Sequence, residues 1–274
     1  MEPVKLYYAK RHPNLGDAAS PLLVERLSGR NVKHAHFRTA ELYAVGSILG
    51  KIFPNTPRRF RRLFGNFTPV AHIWGSGFMF EPEEGVKPER RTSIAALRGE
   101  LSRRALEKIL GVEIEAALGD PGILFDSLLD TPPPKRHSVG IIPHYRENGR
   151  PEFAELNAKI PDSRIIDVMN ADVRATLAAI AECEAVVSSS LHGLVAAAAF
   201  HIPAIHISPS GAIRGGEFKF NDFYSAFGVE NPPDITLDEA LSSPPGPAEI
   251  AARCPLDPAK IDAAKRRLID AWPL

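Results

Sequence analysis

Short apolar runs alternate with segments of helical period from one end of the chain to the other. In the first half, strands are predicted near KLYYA (5–9), NVKHAHF (31–37), VAHIWGS (70–76), TSIAALR (92–98) and EAALGD (115–120). Between them, DAASPLLVERLSG (17–29) and ELSRRALEKILG (100–111) read as helices, each ending on a glycine suited to a left-handed C-cap. The second half repeats the rhythm. Strands near SVGIIPHY (138–145), SRIIDVM (163–169), EAVVSSS (184–190) and PAIHIS (203–208) flank helices at DVRATLAAIAEC (172–183) and LHGLVAAAAFHI (191–202). Continuous apolar strands separated by amphipathic helices are the pattern of parallel sheets covered on both faces, so an α/β fold is expected.

The two halves meet at DTPPPKRH (130–137), where three consecutive prolines join neither a ladder nor a helix interior. This predicts a domain at 1–130, a second at 137–256, and a closing helix at 257–274 that packs back on the first. Two such domains hold ligands between the C-terminal ends of their strands, so chemistry is sought where strands give way to loops or helices.

Lys+Arg and Asp+Glu both total 33. The net charge is therefore zero, and no basic face steers the chain toward nucleic acid. Cys183 and Cys254 lie far apart without metal-ligand spacing, which speaks against a disulfide framework or a structural zinc and fits a reduced, cytoplasmic compartment. No apolar run approaches the ~20 residues that span a bilayer, and neither export nor insertion is expected. Arg58, Arg59, Arg61 and Arg62, interleaved with Phe60 and Phe64, suit either a solvated loop or contact with an anionic membrane surface.

Several strand ends carry candidate chemistry. Asn14-Leu15-Gly16-Asp17 opens the first helix; Asp17 is expected to cap it, while Gly16 lets backbone amides approach a ligand. Gly75-Ser76-Gly77 begins like a dinucleotide fingerprint, but the sixth position is Phe80, which excludes a nicotinamide site. It remains either a plain turn or a loop whose amides meet a sugar or phosphate. Arg98, at a strand end, could fork onto a carboxylate or phosphate. Asp120 could orient a hydroxyl or cap its turn, and His144 could bind phosphate or exchange protons near neutrality. The strongest candidate is Ser188-Ser189-Ser190-Leu191-His192-Gly193, where a buried strand runs into an alanine-rich helix. The first turn of that helix offers unpaired N–H groups, and its positive end should lower the pKa of His192 and favour an anion beside it. A core histidine is the competing reading.

In order and spacing, Asn14-Leu15-Gly16-Asp17, Gly75-Ser76-Gly77, Arg98 with Ser102, Asp120-Pro121, and Ser190-Leu191-His192-Gly193 with Pro203 resemble polysaccharide pyruvyltransferases. The resemblance spans roughly residues 4–208 and is strongest to short bacterial members tied to exopolysaccharide ketal formation, including succinoglycan-type enzymes. It implies two Rossmann-like domains in a glycosyltransferase-B arrangement, phosphoenolpyruvate as donor, and no obligatory metal or other cofactor. A pyruvyl unit would bridge two hydroxyls of a saccharide, free or lipid-linked, at the inner face of the membrane. The same resemblance implies His192 and Arg98 as catalytic residues and Ser189, Ser190, Gly193, His144 and Arg214 on the donor side. Asn14, Gly16, Asp17, Gly75, Ser76 and Gly77 would face the acceptor. One departure stands out: many members carry arginine two places before the motif histidine, where this chain has Ser190. Arg98, Arg214 or Lys219 would have to supply that charge. Replacing His192 or Arg98 by alanine is expected to remove activity with the thermal midpoint nearly unchanged. Two other functions suit the same architecture: a sugar-nucleotide glycosyltransferase, with Glu217 holding the donor ribose, and a non-catalytic glycan-binding protein.

Overall fold

The computed structural model describes residues 1–10, 14–55, 69–208 and 217–274. Arg214 and the basic stretch at 58–64 lie outside the described residues. Two sheets, all of whose strand pairs are parallel, organise the chain. The first contains β1 (Val4–Tyr7), β2 (Val32–His34), β3 (Leu42–Tyr43), β4 (Ala71–Trp74), β5 (Thr92–Leu97) and β6 (Ala117–Leu118), in the order β2-β1-β3-β4-β5-β6. The second contains β7 (His137–Ile142), β8 (Arg164–Ile165), β9 (Cys183–Ser188), β10 (Ala204–Ser208) and β11 (Asp234–Thr236), in the order β11-β10-β9-β7-β8. The α/β class with Rossmann-like sheets is therefore as the pattern predicted.

The helices cover these sheets: α1 (Leu15–Ser28), α2 (Glu100–Leu110), α3 (Pro151–Lys159), α4 (Val173–Ala181), α5 (Leu191–Ala199), α6 (Glu217–Ser225), α7 (Leu237–Ser242), α8 (Pro247–Arg253) and α9 (Pro258–Asp270). Gly29 and Gly111 close α1 and α2 at φ of 64° and 68°, the left-handed conformation that glycine adopts without a Cβ penalty. Among the described residues, no helix is long and apolar enough to cross a membrane.

Burial follows three apolar layers. One covers the outer face of the first sheet, with Tyr43, Ile73 and Leu97, and another the outer face of the second, with Val139, Val187 and Ile205. The largest runs between the sheets: Leu6 and Trp74 of the first and Ile142 and Val186 of the second share one cluster with Leu23 of α1, Leu194 of α5 and Leu268 of α9. A single-turn-rich segment, Pro121–Leu128, contributes Ile123 and Phe125 to the same layer. Each fully buried leucine or phenylalanine there contributes roughly 1.5–3 kcal/mol, so the two sheets are held by a common core. Gly122 of this segment permits its closeness to α5, since a Cβ there would come within 2.6 Å of Val195. At the C-terminal end α9 reaches the first sheet, where the indole N–H of Trp74 donates to the Leu268 carbonyl at 2.8 Å.

Candidate active site

Strand order fixes where ligands can enter. In the first sheet the chain leaves β1 for β2 on one side and returns to β3 on the other; in the second it leaves β7 for β8 and returns to β9. At such switch points the connections diverge to opposite faces, and a crevice opens at the C-terminal ends of the two central strands. Asn14–Asp17 follows β1, Pro143–Glu147 follows β7, and Ser189–His192 follows β9. The sequence candidates on these three loops therefore stand at the two switch points.

The N-termini of α1 and α5 meet there. A Cβ on Gly16 would lie 2.2 Å from Nδ1 of His192, so the imidazole rests on the bare backbone of the first turn of α1. The cap of α1 differs from the sequence expectation. Asn14 accepts the N–H groups of Gly16 and Asp17, while its Nδ2 donates to the Asp17 carboxylate at 2.8 Å; Asp17 sits inside the first turn. Asparagine one residue before the helix has the extended backbone a cap needs, which Asp17 lacks. Burial pushes the Asp17 carboxyl up to about 6, against the pull of hydrogen bonds from Asn14 and the Ala9 N–H.

At α5, Ser190 is the N-cap residue, yet its hydroxyl makes no capping bond. Ser188 organises the turn instead: its Oγ accepts the Ser190 N–H at 3.0 Å and occupies the space that a Cβ on Gly193 would need. Gly193 is thus required for the turn, and its N–H donates to the Ser190 carbonyl at 3.0 Å. Nε2 of His192 is buried and, among the described residues, has no hydrogen-bond partner. Burial, and then the positive charges of Lys219 and Arg98, hold this imidazole down to about 3. It is neutral at physiological pH, and among the described residues one of its nitrogens is left without a partner.

Lys219 on α6 is a cation whose charge depresses His144, His192 and His206 together. Burial first, then Arg98 and Arg146, lower Lys219 to about 8, with Glu147 opposing. Among the described residues Lys219 makes no ion pair; its ammonium lies 4.9 Å from the Phe220 ring centroid. His144 and His206 are each pushed down to about 4, chiefly by burial. Ser189 is engaged in the scaffold, accepting the His144 N–H at 2.8 Å and donating to the buried Glu147. That pair pins the loop after β7 to the end of β9.

Arg98 has different partners from those its strand-end position suggested. Its side chain is fully buried: Nε donates to Asp222 at 2.8 Å, one terminal nitrogen to Ser47 and the other to the Phe78 carbonyl. Asp222 also accepts the N–H and hydroxyl of Ser102, and the same helix presses its backbone so close to Gly99 that a Cβ there would overlap the Asp222 carbonyl. Arg98 thus acts from beneath the site, as a charge felt by His192 and Lys219, and as a tie between the first sheet and α6.

The glycine turn after β4 is likewise corrected. The Gly75 N–H donates to Ala96, the Gly77 N–H to Gly46, and the fully buried Ser76 hydroxyl to Ala44, so these groups are not open to a sugar. Gly75, at φ 79°, is required by Pro121, and Gly77 by the Arg98 guanidinium lying on it. A register shift between Ile73 and Trp74 accompanies this turn. Asp120 caps the Pro121–Leu128 segment through the Gly122 N–H, while its other oxygen is buried and unpartnered and burial lifts the carboxyl to about 6.

The residues brought together are thus Gly16, Asp17, His144, Ser190, His192 and Lys219, with Arg98 and Glu147 behind them. Sequence reading missed Asp222 and Glu147. Nothing local marks either, since Asp222 lies 124 residues from Arg98 and Glu147 lies 42 from Ser189.

Comparison with known proteins gives this geometry a context. A family model described as polysaccharide pyruvyl transferase matches residues 14–211, from the cap of α1 to just beyond β10. Uncharacterized protein L143 of Acanthamoeba polyphaga mimivirus is 27% identical over 236 residues, covering 83% of this chain and 75% of the relative. The succinoglycan biosynthesis protein ExoV of Rhizobium meliloti (strain 1021) is 24% identical over 226 residues, covering 81% and 64%. The matched region contains every residue of the centre except those on α6.

Proposed function

Because the chain belongs to the polysaccharide pyruvyl transferase family, we propose that it transfers a pyruvyl group from phosphoenolpyruvate to two hydroxyls of an exopolysaccharide sugar, forming a ketal. The observation that carries this reading is the buried, unpartnered Nε2 of His192 at the first turn of α5, laid against Gly16 and within the field of Lys219. A small, dense anion suits such a place. Its phosphate or carboxylate would take the free N–H groups of α5 and the Lys219 ammonium, and would give His192 the partner it lacks.

In the proposed reaction the donor methylene gains a proton and becomes a methyl group, while a sugar hydroxyl adds to C2. The C2–O bond to phosphate breaks, inorganic phosphate leaves, and a second hydroxyl closes the ketal. Proton transfer needs groups with pKa values near the working pH, and Asp17 at about 6, one residue from Gly16, meets that requirement. His192 acts as a neutral hydrogen-bonding group in the free protein, and becomes a proton carrier only when a bound anion raises its pKa. Lys219 takes the charge that the family places two positions before the histidine, where this chain has Ser190. The name of the Rhizobium relative, a succinoglycan biosynthesis protein, supports an exopolysaccharide acceptor.

Calorimetry separates this reading from a sugar-nucleotide transferase. Phosphoenolpyruvate is expected to bind, and UDP- or GDP-sugars not to compete with it. Tight binding of a nucleotide sugar, with none of phosphoenolpyruvate, would reverse the assignment.

A further inference from the structure

Beyond the donor centre, the C-terminal ends of β1 and β2 carry a cluster of rings and cations that the proposed chemistry does not use. Tyr8 and His34 meet edge to face, with centroids 4.9 Å apart and planes at 86°. Tyr7 joins them with its ring centroid 6.2 Å from that of His34, and the Lys10 ammonium lies over the Tyr8 ring, 5.7 Å from its centroid. On the following loop Arg38 stands 5.4 Å from the Phe37 ring, itself in contact with Tyr7. Tyr8 and His34 are half-buried; Lys10 and Arg38 are exposed and, among the described residues, make no ion pair.

This cluster is joined to the centre through the backbone. Ala9, between Tyr8 and Lys10, donates its N–H to the Asp17 carboxylate, next to the Gly16 on which His192 rests. The chemistry of the cluster is specific. The C–H faces of pyranose rings carry slight positive charge and stack on the negative faces of aromatic rings, which a half-buried tyrosine holds at little entropic cost. His34 adds direction: its Nε2 lies 3.2 Å from the Tyr8 carbonyl and must therefore carry the hydrogen, leaving Nδ1 to accept a sugar hydroxyl. Burial and the neighbouring Lys10 keep that imidazole below its usual pKa, in the neutral form. The two cations call for an anion near the stacked sugar.

We propose that Tyr8, His34, Lys10 and Arg38 form an acceptor platform that stacks a sugar ring on Tyr8 and pairs the cations with an anionic group on the same saccharide. This names the acceptor class, an anionic saccharide, and rests on the pyruvyl-transfer reading for the sugar's role as acceptor. The anion is either the carboxylate of an acidic sugar or the diphosphate of a lipid linkage.

The test uses three probes on the full chain: a glucuronate-containing oligosaccharide, its carboxyl-reduced neutral form, and the neutral form on a lipid diphosphate. Binding is measured directly, without donor. At least one anionic probe is expected to bind more tightly than the neutral one, and the tighter of the two identifies the source of the anion. Tyr8→Ala and Lys10→Gln should each weaken that binding about tenfold while leaving phosphoenolpyruvate affinity unchanged, and Tyr8→Phe should retain it. Arg38→Gln, at an exposed position, should act like Lys10→Gln and guards against a Tyr8 variant that fails to fold. Equal affinity for all three probes, or unaltered binding in Lys10→Gln and Arg38→Gln, overturns the platform. Saccharide binding that follows these variants without donor-dependent phosphate release would overturn the transfer reaction and leave the platform standing.

Discussion

At the scale of single residues, the centre is built from groups whose ordinary protonation has been displaced. His192, at about 3, is neutral in the free protein, and its orphaned nitrogen costs stability until a ligand arrives. His192→Ala is therefore expected to lower donor-dependent phosphate release by about 100-fold or more, with a thermal midpoint unchanged or raised. A fall in midpoint paralleling the loss of activity would make the histidine structural. Lys219 sets a pH dependence. Burial and the charges of Arg98 and Arg146 hold it near 8 against Glu147, with His144, His192 and His206 around it uncharged at neutrality. It carries its charge below that pH and loses it above, so anion affinity should weaken as pH rises through about 8, and a bound anion should shift the loss upward. Lys219→Arg should keep the affinity and remove the dependence, as read by calorimetry on both sides of pH 8. His192 was legible in the sequence because a polar triplet, a histidine and a glycine stand where an apolar strand becomes a small-residue helix. The burial of Arg98 was not, because its partner Asp222 lies on a helix brought near only by the tertiary fold.

At the scale of elements, the centre depends on two helix ends meeting across a glycine. Gly16→Ala adds a residue that favours helix by roughly 1 kcal/mol, yet its Cβ would overlap the His192 ring. The expected outcome is loss of turnover with α1 retained by circular dichroism; full activity would show that the imidazole need not rest there. The helices and strands with strong periodicity were readable, as were the glycines ending α1 and α2. The two-residue strand β3 and the three-residue strand β11 were not. Their inclusion comes from pairing with β1, β4 and β10. The turn after β4 stayed open between two readings for a related reason: Gly75 and Gly77 leave room for Pro121 and Arg98, neighbours that no local pattern announces.

At the scale of the whole molecule, the halves share an apolar core and one buried ion pair. Arg98 and Asp222 join the first sheet to α6, which carries Lys219. Breaking a buried pair leaves a charge without compensation and costs about 3–5 kcal/mol. Asp222→Asn and Arg98→Ala should each lower stability by amounts of that order in denaturant titration, contrary to the unchanged midpoint expected for Arg98 from sequence. A neutral result in Asp222→Asn would mean that the guanidinium finds solvent when its partner is removed, and one in Arg98→Ala that the Asp222 carboxylate does.

The proposed reaction is the binding of phosphoenolpyruvate beside His192 and the passage of its pyruvyl unit to a saccharide. It is tested most directly by incubating the protein with phosphoenolpyruvate and exopolysaccharide repeat units, then measuring phosphate release and saccharide mass together. One phosphate released for each saccharide that gains the mass of pyruvate less one water, abolished in His192→Ala, is the result expected. Saccharides of unchanged mass, or phosphate release that persists in His192→Ala, would contradict it.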